Sequence, residues 1–144
     1  METLNRLTLE FLSRPENIGL ARLTMASFAA QLDFTLSELE ELKVAVSEAV
    51  SNAVLHGYAN QEGIVRIEST LYPDRIELLV EDHGQGIADI QQAREPAYTT
   101  SPDRMGLGFT FIESFMDRVE IKSQPGQGTS VWMSKSPEGK ESEV

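Results

Sequence analysis

Two stretches of alternating residues most strongly limit the folds open to this chain. "GIVRIESTLY" (63–72) and "RIELLVED" (75–82) are rich in branched residues and alternate apolar with polar positions. That pattern is typical of strands with one buried face. "YPD" between them is typical of a tight turn. The two stretches therefore predict a β-hairpin in the middle of the chain.

Helical patterns precede this hairpin. Leu7, Leu9 and Phe11 alternate as in a half-buried strand, and "SRPE" (13–16) and "TLSE" (35–38) then have the form of capping boxes that open two helices. The first helix is predicted within 17–32, and Gly57 is a suitable terminator for the second. The second helix has one apolar stripe, formed by Leu39, Leu42, Val46, Ala49, Val50 and Ala53.

The second half returns to regular structure after a long break at 83–105, where Gly, Pro, Thr and charged residues dominate. "GLGFTFIESFMD" has helical spacing, and "RVEIKSQ", "PGQG" and "TSVWMSK" predict a final hairpin. The order β-α-α-β-β-loop-α-β-β predicts an α+β fold, a two-layer sandwich with helices on one face of a mostly antiparallel mixed sheet. We expect one domain over 1–135 and a polar, disordered tail over 136–144.

Composition excludes several classes of function. The 144 residues include 12 basic and 23 acidic ones, a net charge of −11, so general binding to nucleic-acid phosphates is not expected. The absence of cysteine excludes disulfides, thiolate metal sites and thiol catalysis. The N-terminus does not have the pattern of a signal peptide, and no apolar run is long enough to span a membrane.

Glu48 and Asn52 form the first candidate site. They are four residues apart on the second helix, off its apolar stripe, so both side chains lie on one face. Taken alone, such a pair is more often a solvated polar surface. An amide oxygen also suits Mg²⁺, and a carboxylate one turn away can act as a general base.

Three further candidates follow along the chain. Asp82, Gly84 and Gly86 come at the end of the most apolar strand, where a carboxylate can accept a hydrogen bond from an amine and glycines let backbone approach a flat ligand. Gly106 and Gly108 lie where the long loop becomes a helix, and free amides at that position bind phosphate. The third candidate is an ordinary strand former that can also present a hydroxyl to a ligand, Thr129. Each candidate also has an ordinary structural interpretation. The first can be only a glycine-rich turn, the second only a loop–helix junction, and the third only a threonine in a strand.

The ordered set of these signals is more specific than any one of them. Glu-x-x-x-Asn on a helix, Asp-x-Gly-x-Gly after a strand, a long loop, Gly-x-Gly at a helix start and a late Thr together resemble the Bergerat-fold ATPases. Within that superfamily the chain resembles the small anti-sigma factor serine kinases, and most of all their sporulation group. Stretches that carry the resemblance include "VSEAVSNAVLHGY" and "QAREPAYTTSPDRMGLGFTFIESFMD". The general-stress anti-sigma kinases are the nearest alternative.

The resemblance implies a role for each candidate residue. Glu48 is the general base toward a protein serine, and Asn52 binds the Mg²⁺ that bridges the phosphates of ATP. The adenine is bound by Asp82, Gly84, Gly86 and, through water, Thr129. A lid at 87–105 closes over the nucleotide, and the phosphates are bound by Arg104, Gly106 and Gly108.

The resemblance also implies partners and a location. These are an RNA polymerase sigma factor, which the protein inhibits, and an anti-anti-sigma protein, which it phosphorylates on serine. A homodimer in the bacterial cytoplasm is implied, with ATP or ADP bound and without direct contact to nucleic acid or membrane. Arg22 on the first helix is a candidate partner contact. Two alternatives stay open: a non-catalytic nucleotide-dependent binding switch, and an ATPase fragment of a sensor histidine kinase.

Overall fold

The predicted order of elements is confirmed in the computed structural model, which describes residues 2–58, 61–84 and 105–138, with the side chains of 105–108 left out. Two helices follow the first strand, and two β-hairpins flank the third helix. The elements are β1 (Asn5–Leu12), α1 (Glu16–Ala29), α2 (Leu36–Asn52), a π-helical turn (Ala53–Gly57), β2 (Ile64–Tyr72), β3 (Arg75–Asp82), α3 (Met105–Phe115), β4 (Arg118–Gln124) and β5 (Gly128–Lys135).

One five-stranded sheet, in the order β1-β2-β3-β5-β4, forms one layer. All four pairings among these described strands are antiparallel, so they contain no parallel pair of the kind that a mixed sheet would have. Tyr72 pairs with Arg75, which leaves a two-residue turn where "YPD" predicted one. The central pairing of β3 with β5 places Asp82 opposite Thr129 at one end of the sheet.

The helices cover one face of the sheet, as predicted. Alternate residues of β2 and β3 are buried on that face, and α2 packs between α1 and α3. Most of the apolar stripe of α2 is fully buried, and Leu39 is half-buried. The largest fully buried side chains of the described residues are Phe109, Met25, Leu42, Ile67, Leu71, Ile76, Leu78, Ile112 and Met133.

The two predicted capping boxes have different outcomes. Thr35 caps α2: its Oγ1 accepts from the Glu38 N–H (3.1 Å), and the Glu38 carboxylate accepts from the Thr35 N–H (2.8 Å). The box at Ser13 is wrong, because α1 has no side-chain cap. The Ser13 Oγ instead accepts from the Gly63 N–H (2.9 Å), since the backbone of Ser13 continues the pairing of β1 with β2.

A buried polar cluster joins the start of α2 to the C-terminal ends of α3 and β5. Lys135 is only 6% exposed, and its Nζ donates to the Phe115 carbonyl (2.6 Å) and to the Glu41 carboxylate (3.1 Å). Glu38 also accepts from the backbone N–H of Glu138 (2.7 Å), so hydrogen-bonded structure continues past Lys135 into the segment predicted as a disordered tail. This cluster fixes the C-terminal end of α3 against the first turn of α2.

Glu38 gives this cluster a dependence on pH. Burial raises the pKa of its carboxyl, but the N–H groups of Thr35 and Glu138 and the charge of Lys135 outweigh burial and lower it overall. A lowered folded-state pKa stabilises the protein above the unfolded value, and that stability is lost as the pH falls through the folded value.

We therefore expect Glu38→Gln to lower the free energy of unfolding at pH 7 by about 1 kcal/mol, because the amide cannot accept both backbone hydrogen bonds. The difference from wild type should shrink as the pH falls below the unfolded value of 4.5. Urea unfolding between pH 7 and pH 3 measures this. Glu40→Gln, at an exposed position of the same helix, is the matched control, and an equal loss in the control would contradict the assignment.

Candidate nucleotide site

The end of β3 carries a buried carboxylate. Asp82 is only 6% exposed, and its Oδ1 accepts from the Gly84 N–H (2.9 Å). Burial raises the pKa of this carboxyl, although hydrogen bonds from the N–H groups of Gly84 and Thr129 and the nearby His83 oppose the rise. A buried carboxylate has lost most of its contact with water. It is therefore a strong acceptor for a ligand group that donates a hydrogen bond to it.

Glycines allow the backbone to close tightly around Asp82. A Cβ atom on Gly84 would overlap the carbonyl of Gly57, and one on Gly57 would press on the Asp82 carboxylate at 3.0 Å. Gly57 was predicted only as a helix terminator, so this contact was missed. The close approach of two glycines, which no other residue could make, brings the end of the α2 region against the end of β3.

Thr129 borders the same position from the neighbouring strand. Its hydroxyl lies 2.8 Å from the Ser123 Oγ, and Ser123 donates its own proton to the Gly128 carbonyl (3.0 Å). Thr129 is therefore the donor toward Ser123, and the lone pairs of its oxygen remain to accept from a ligand or a water. A cleft of about 230 Å³, lined by Asp82 and Thr129 among others, opens at this end of the sheet. Ser123 carried no signal in the sequence.

Glu48 and Asn52 occupy the last turns of α2, as predicted, and both are half-buried. The Asn52 amide nitrogen is fully buried and has no hydrogen-bond partner among the described residues. The helix then continues as the π-helical turn to Gly57, which contacts Asp82. Single π turns are frequent at functional sites. Here the turn connects the Glu48–Asn52 face to the buried carboxylate.

The amide of Asn52 fits a Mg²⁺ ligand. The side-chain oxygen of Asn52 is of the hard type that Mg²⁺ prefers. Its buried amide nitrogen lacks a partner among the described residues and needs an acceptor, which a phosphate oxygen beside the ion would supply. No cluster of three or more His, Asp or Glu side chains that could hold a metal occurs within 2–58, 61–84 and 105–138. An ion bound here would therefore depend on ligands from elsewhere, as Mg²⁺ does when it binds together with phosphates.

Comparison with known proteins identifies the family. The model of the histidine kinase-like ATPase domain matches residues 11–135. A protein named anti-sigma F factor from Clostridium beijerinckii is 48% identical over 134 residues, which are 91% of this chain and 94% of that protein. The anti-sigma F factor of Oceanobacillus iheyensis is 52% identical over 134 residues, 91% of this chain and 92% of that protein. The chain belongs to the anti-sigma F factor family. The resemblance predicted from the motifs is thereby confirmed.

The solved structures agree with this family's fold. The RsbU and RsbW domains of a Mycobacterium tuberculosis protein match with a TM-score of 0.67 at 21% identity, over 92% of this chain and 32% of that one. At that identity the match shows the fold alone. No helix within the described parts of this anti-sigma F factor family member is long and apolar enough to cross a membrane.

Of the remaining predicted site residues, some lie within the described residues and others lie outside them. Gly106 and Gly108 lie in the first turn of α3, where backbone N–H groups have no partner within the helix itself. Gly86, Arg104 and the lid up to residue 104 lie outside the described residues. Arg22 on α1 donates to the Ser47 Oγ (3.4 Å), so it lies against α2 at the residue before Glu48 in the sequence. Its role as a partner contact stays a prediction.

Proposed function

We propose that this chain is an anti-sigma factor that binds Mg-ATP and phosphorylates a serine of its protein antagonist. The observation that carries the proposal is the continuous path from Glu48 and Asn52, through the π-helical turn, to Gly57 against Asp82. The proposed general base and metal ligand both lie on α2, and the π-helical turn that continues this helix packs against the proposed adenine-reading carboxylate on β3.

Adenine binding is the role proposed for the end of β3. The buried Asp82 carboxylate keeps one oxygen on the Gly84 N–H, and we assign the other to the exocyclic amine of adenine. We assign Gly84 and Gly86 to the turn that borders the flat base; Gly84 closes this turn against Gly57. Thr129 has a free acceptor, and we assign it to adenine through a water molecule.

Phosphate binding is the role proposed for the start of α3 and for Asn52. The amides of Gly106 and Gly108 bind phosphate oxygens at a helix N-terminus, and Arg104 adds positive charge. Asn52 holds Mg²⁺, which when bound neutralises charge on the phosphates. Residues 87–105 form the lid of a single kinase domain that spans 1–135.

Glu48 is the proposed general base. It lies one turn before Asn52 on the same helix face, and it is half-buried, so it is still open to an incoming side chain. Phosphates held through Mg²⁺ on Asn52 would lie near it. Glu48 takes the proton of the serine hydroxyl as the serine oxygen attacks the γ-phosphorus of ATP; the bond from that phosphorus to the β–γ bridging oxygen breaks, and ADP leaves. The protein contributes mainly position and charge to such a transfer.

The proposed partners are two proteins. One is an RNA polymerase sigma factor, whose inhibition the family name implies, and the other is an anti-anti-sigma protein, the substrate of the kinase. Arg22 is the proposed partner contact. We also propose a homodimer in the bacterial cytoplasm, which is supported by large apolar side chains left 52% and 60% exposed on α1, at Leu20 and Leu23.

The test uses the purified chain, Mg²⁺, γ-labelled ATP and an anti-anti-sigma protein from the same genome. We expect acid-stable label on a serine of that protein. Acid-labile label would instead indicate transfer to histidine, as in a sensor kinase fragment. ATP-dependent capture of a sigma factor without any label would indicate a binding switch and contradict the kinase.

A further inference from the structure

Tyr58 directly follows the π-helical turn. Its side chain reaches the first residue of β2 and the residue that follows β3. The phenol oxygen accepts from the backbone N–H of His83 (2.7 Å) and donates to the backbone carbonyl of Ile64 (2.7 Å). The N–H···O distance is at the short end of its usual range, and the O–H···O distance has the usual value. The hydroxyl group thus donates its single proton to the start of β2 and accepts, with a lone pair, from the residue after β3.

The position of these contacts in the sheet is informative. The described pairing of β2 with β3 has Val65 opposite Asp82 as its last pair, so the next pair in the same register would be Ile64 opposite His83. The Tyr58 hydroxyl stands between the N–H and the C=O of that next pair. It takes the place of a direct hydrogen bond in the ladder and separates the two strands immediately after Asp82.

The Tyr58 ring is held in place on its other side. A Cβ atom on Gly63 would overlap the ring, so the ring lies directly on the backbone of that residue. With the ring seated there and the π-helical turn fixed behind it, the hydroxyl has a defined position. The turn from Asp82 to Gly84 is then attached at two points, by His83 to Tyr58 and by Gly84 to Gly57.

We infer that Tyr58 is a positioning residue for nucleotide selectivity, which holds the Asp82–Gly84 turn open in the geometry that reads adenine. It acts through the backbone of His83 and does not itself touch the base. The inference rests on the proposed function, because it needs Asp82 to recognise adenine. It adds to that function a residue for which the sequence motifs assigned no role.

The direct test is Tyr58→Phe, which removes only the hydroxyl. Titration of the purified full chain with Mg-ATP and with Mg-GTP should show an ATP affinity lower by about three- to tenfold, as expected for one lost hydrogen bond at a positioned group. Affinity for GTP should change less, so that the ratio of the two affinities falls. Amide exchange of His83 in the nucleotide-free protein should become faster.

Two controls separate this inference from the proposed function. Tyr72→Phe removes a hydroxyl at the far end of β2, where the ring lies under Arg75, and should bind both nucleotides as wild type does. Asp82→Asn should lose the preference for ATP whatever the role of Tyr58.

If Asp82→Asn loses the preference for ATP and Tyr58→Phe keeps the wild-type ratio, the inference is overturned and the proposed function stands. A lower melting temperature in Tyr58→Phe with an unchanged ratio would also overturn it. If Asp82→Asn keeps the preference, the adenine assignment fails, and the inference fails with it.

Discussion

Glu48→Ala is expected to lower phosphoryl transfer by about a hundredfold or more and to leave Mg-ATP binding close to that of the wild type. A positioned general base contributes about 10²- to 10⁴-fold to a proton transfer. Glu48 lies off the buried stripe of α2 and is half-buried, so its loss removes a proton acceptor without opening the core. The reaction is measured at saturating ATP with the anti-anti-sigma protein in excess, and nucleotide binding is measured by calorimetry.

Glu40→Ala is the matched control for this result. It removes a carboxylate from the same helix at an exposed position, where it pairs with Lys43, and both activities should be unchanged. A Glu48→Ala variant with the wild-type rate would exclude Glu48 as the base. A variant that loses nucleotide binding in parallel with transfer would assign Glu48 to the metal–nucleotide complex instead.

Asp82→Asn is expected to weaken ATP binding by about ten- to a hundredfold and, at neutral pH, to stabilise the free protein. The loss corresponds to about 1.5–3 kcal/mol for a hydrogen bond to a charged group. The gain follows from the sign of the pKa shift: burial raises the pKa of Asp82 above its unfolded value of 3.8, so the ionised form lowers the stability of the folded state at neutral pH. The cost appears as the pH rises through the folded pKa and is absent below the unfolded one.

Calorimetric titration with Mg-ATP and thermal unfolding of the free protein at pH 7 and at pH 4 measure the two effects. The melting temperature of Asp82→Asn should exceed that of the wild type at pH 7, and the difference should shrink at pH 4. Asp74→Asn, in the exposed turn between β2 and β3, is the control and should change neither quantity appreciably. Undiminished ATP affinity in Asp82→Asn would remove Asp82 from the nucleotide site.

Local patterns predicted the elements well because they depend on neighbouring residues. Period-two alternation defined β2 and β3, and the Thr35–Glu38 capping box marked the start of α2. Features set by distant contacts were missed. The Ser13 hydroxyl is used by Gly63 instead of by a helix cap, because β1 pairs with β2. Lys135 at the end of a strand gave no sign that it would be buried, since its partners come from α2 and α3.

The candidate site was predictable only in part, because some of its contacts depend on residues that are distant in the sequence. Residue type and spacing indicated Glu48, Asn52 and Asp82 as candidates, because the proposed chemistry needs a carboxylate or an amide at those points. The contributions of Gly57, Tyr58 and Ser123 depend on the packing of the π-helical turn and of β4 against the ends of β3 and β5. These contacts join segments that are remote in the sequence, and the local pattern does not specify them.

The pairing of Asp82 with Thr129 has a consequence for how the protein is made. The two residues face each other across β3 and β5, although all of α3 and β4 lies between these strands in the sequence. Such non-local pairing forms late, because the entropy of closing a long loop must be paid before the contact forms. A nucleotide that binds at the ends of these two strands, as proposed, recognises only chains that have completed this step. On the proposed function, binding of ATP to the folded chain alone would stabilise it by mass action.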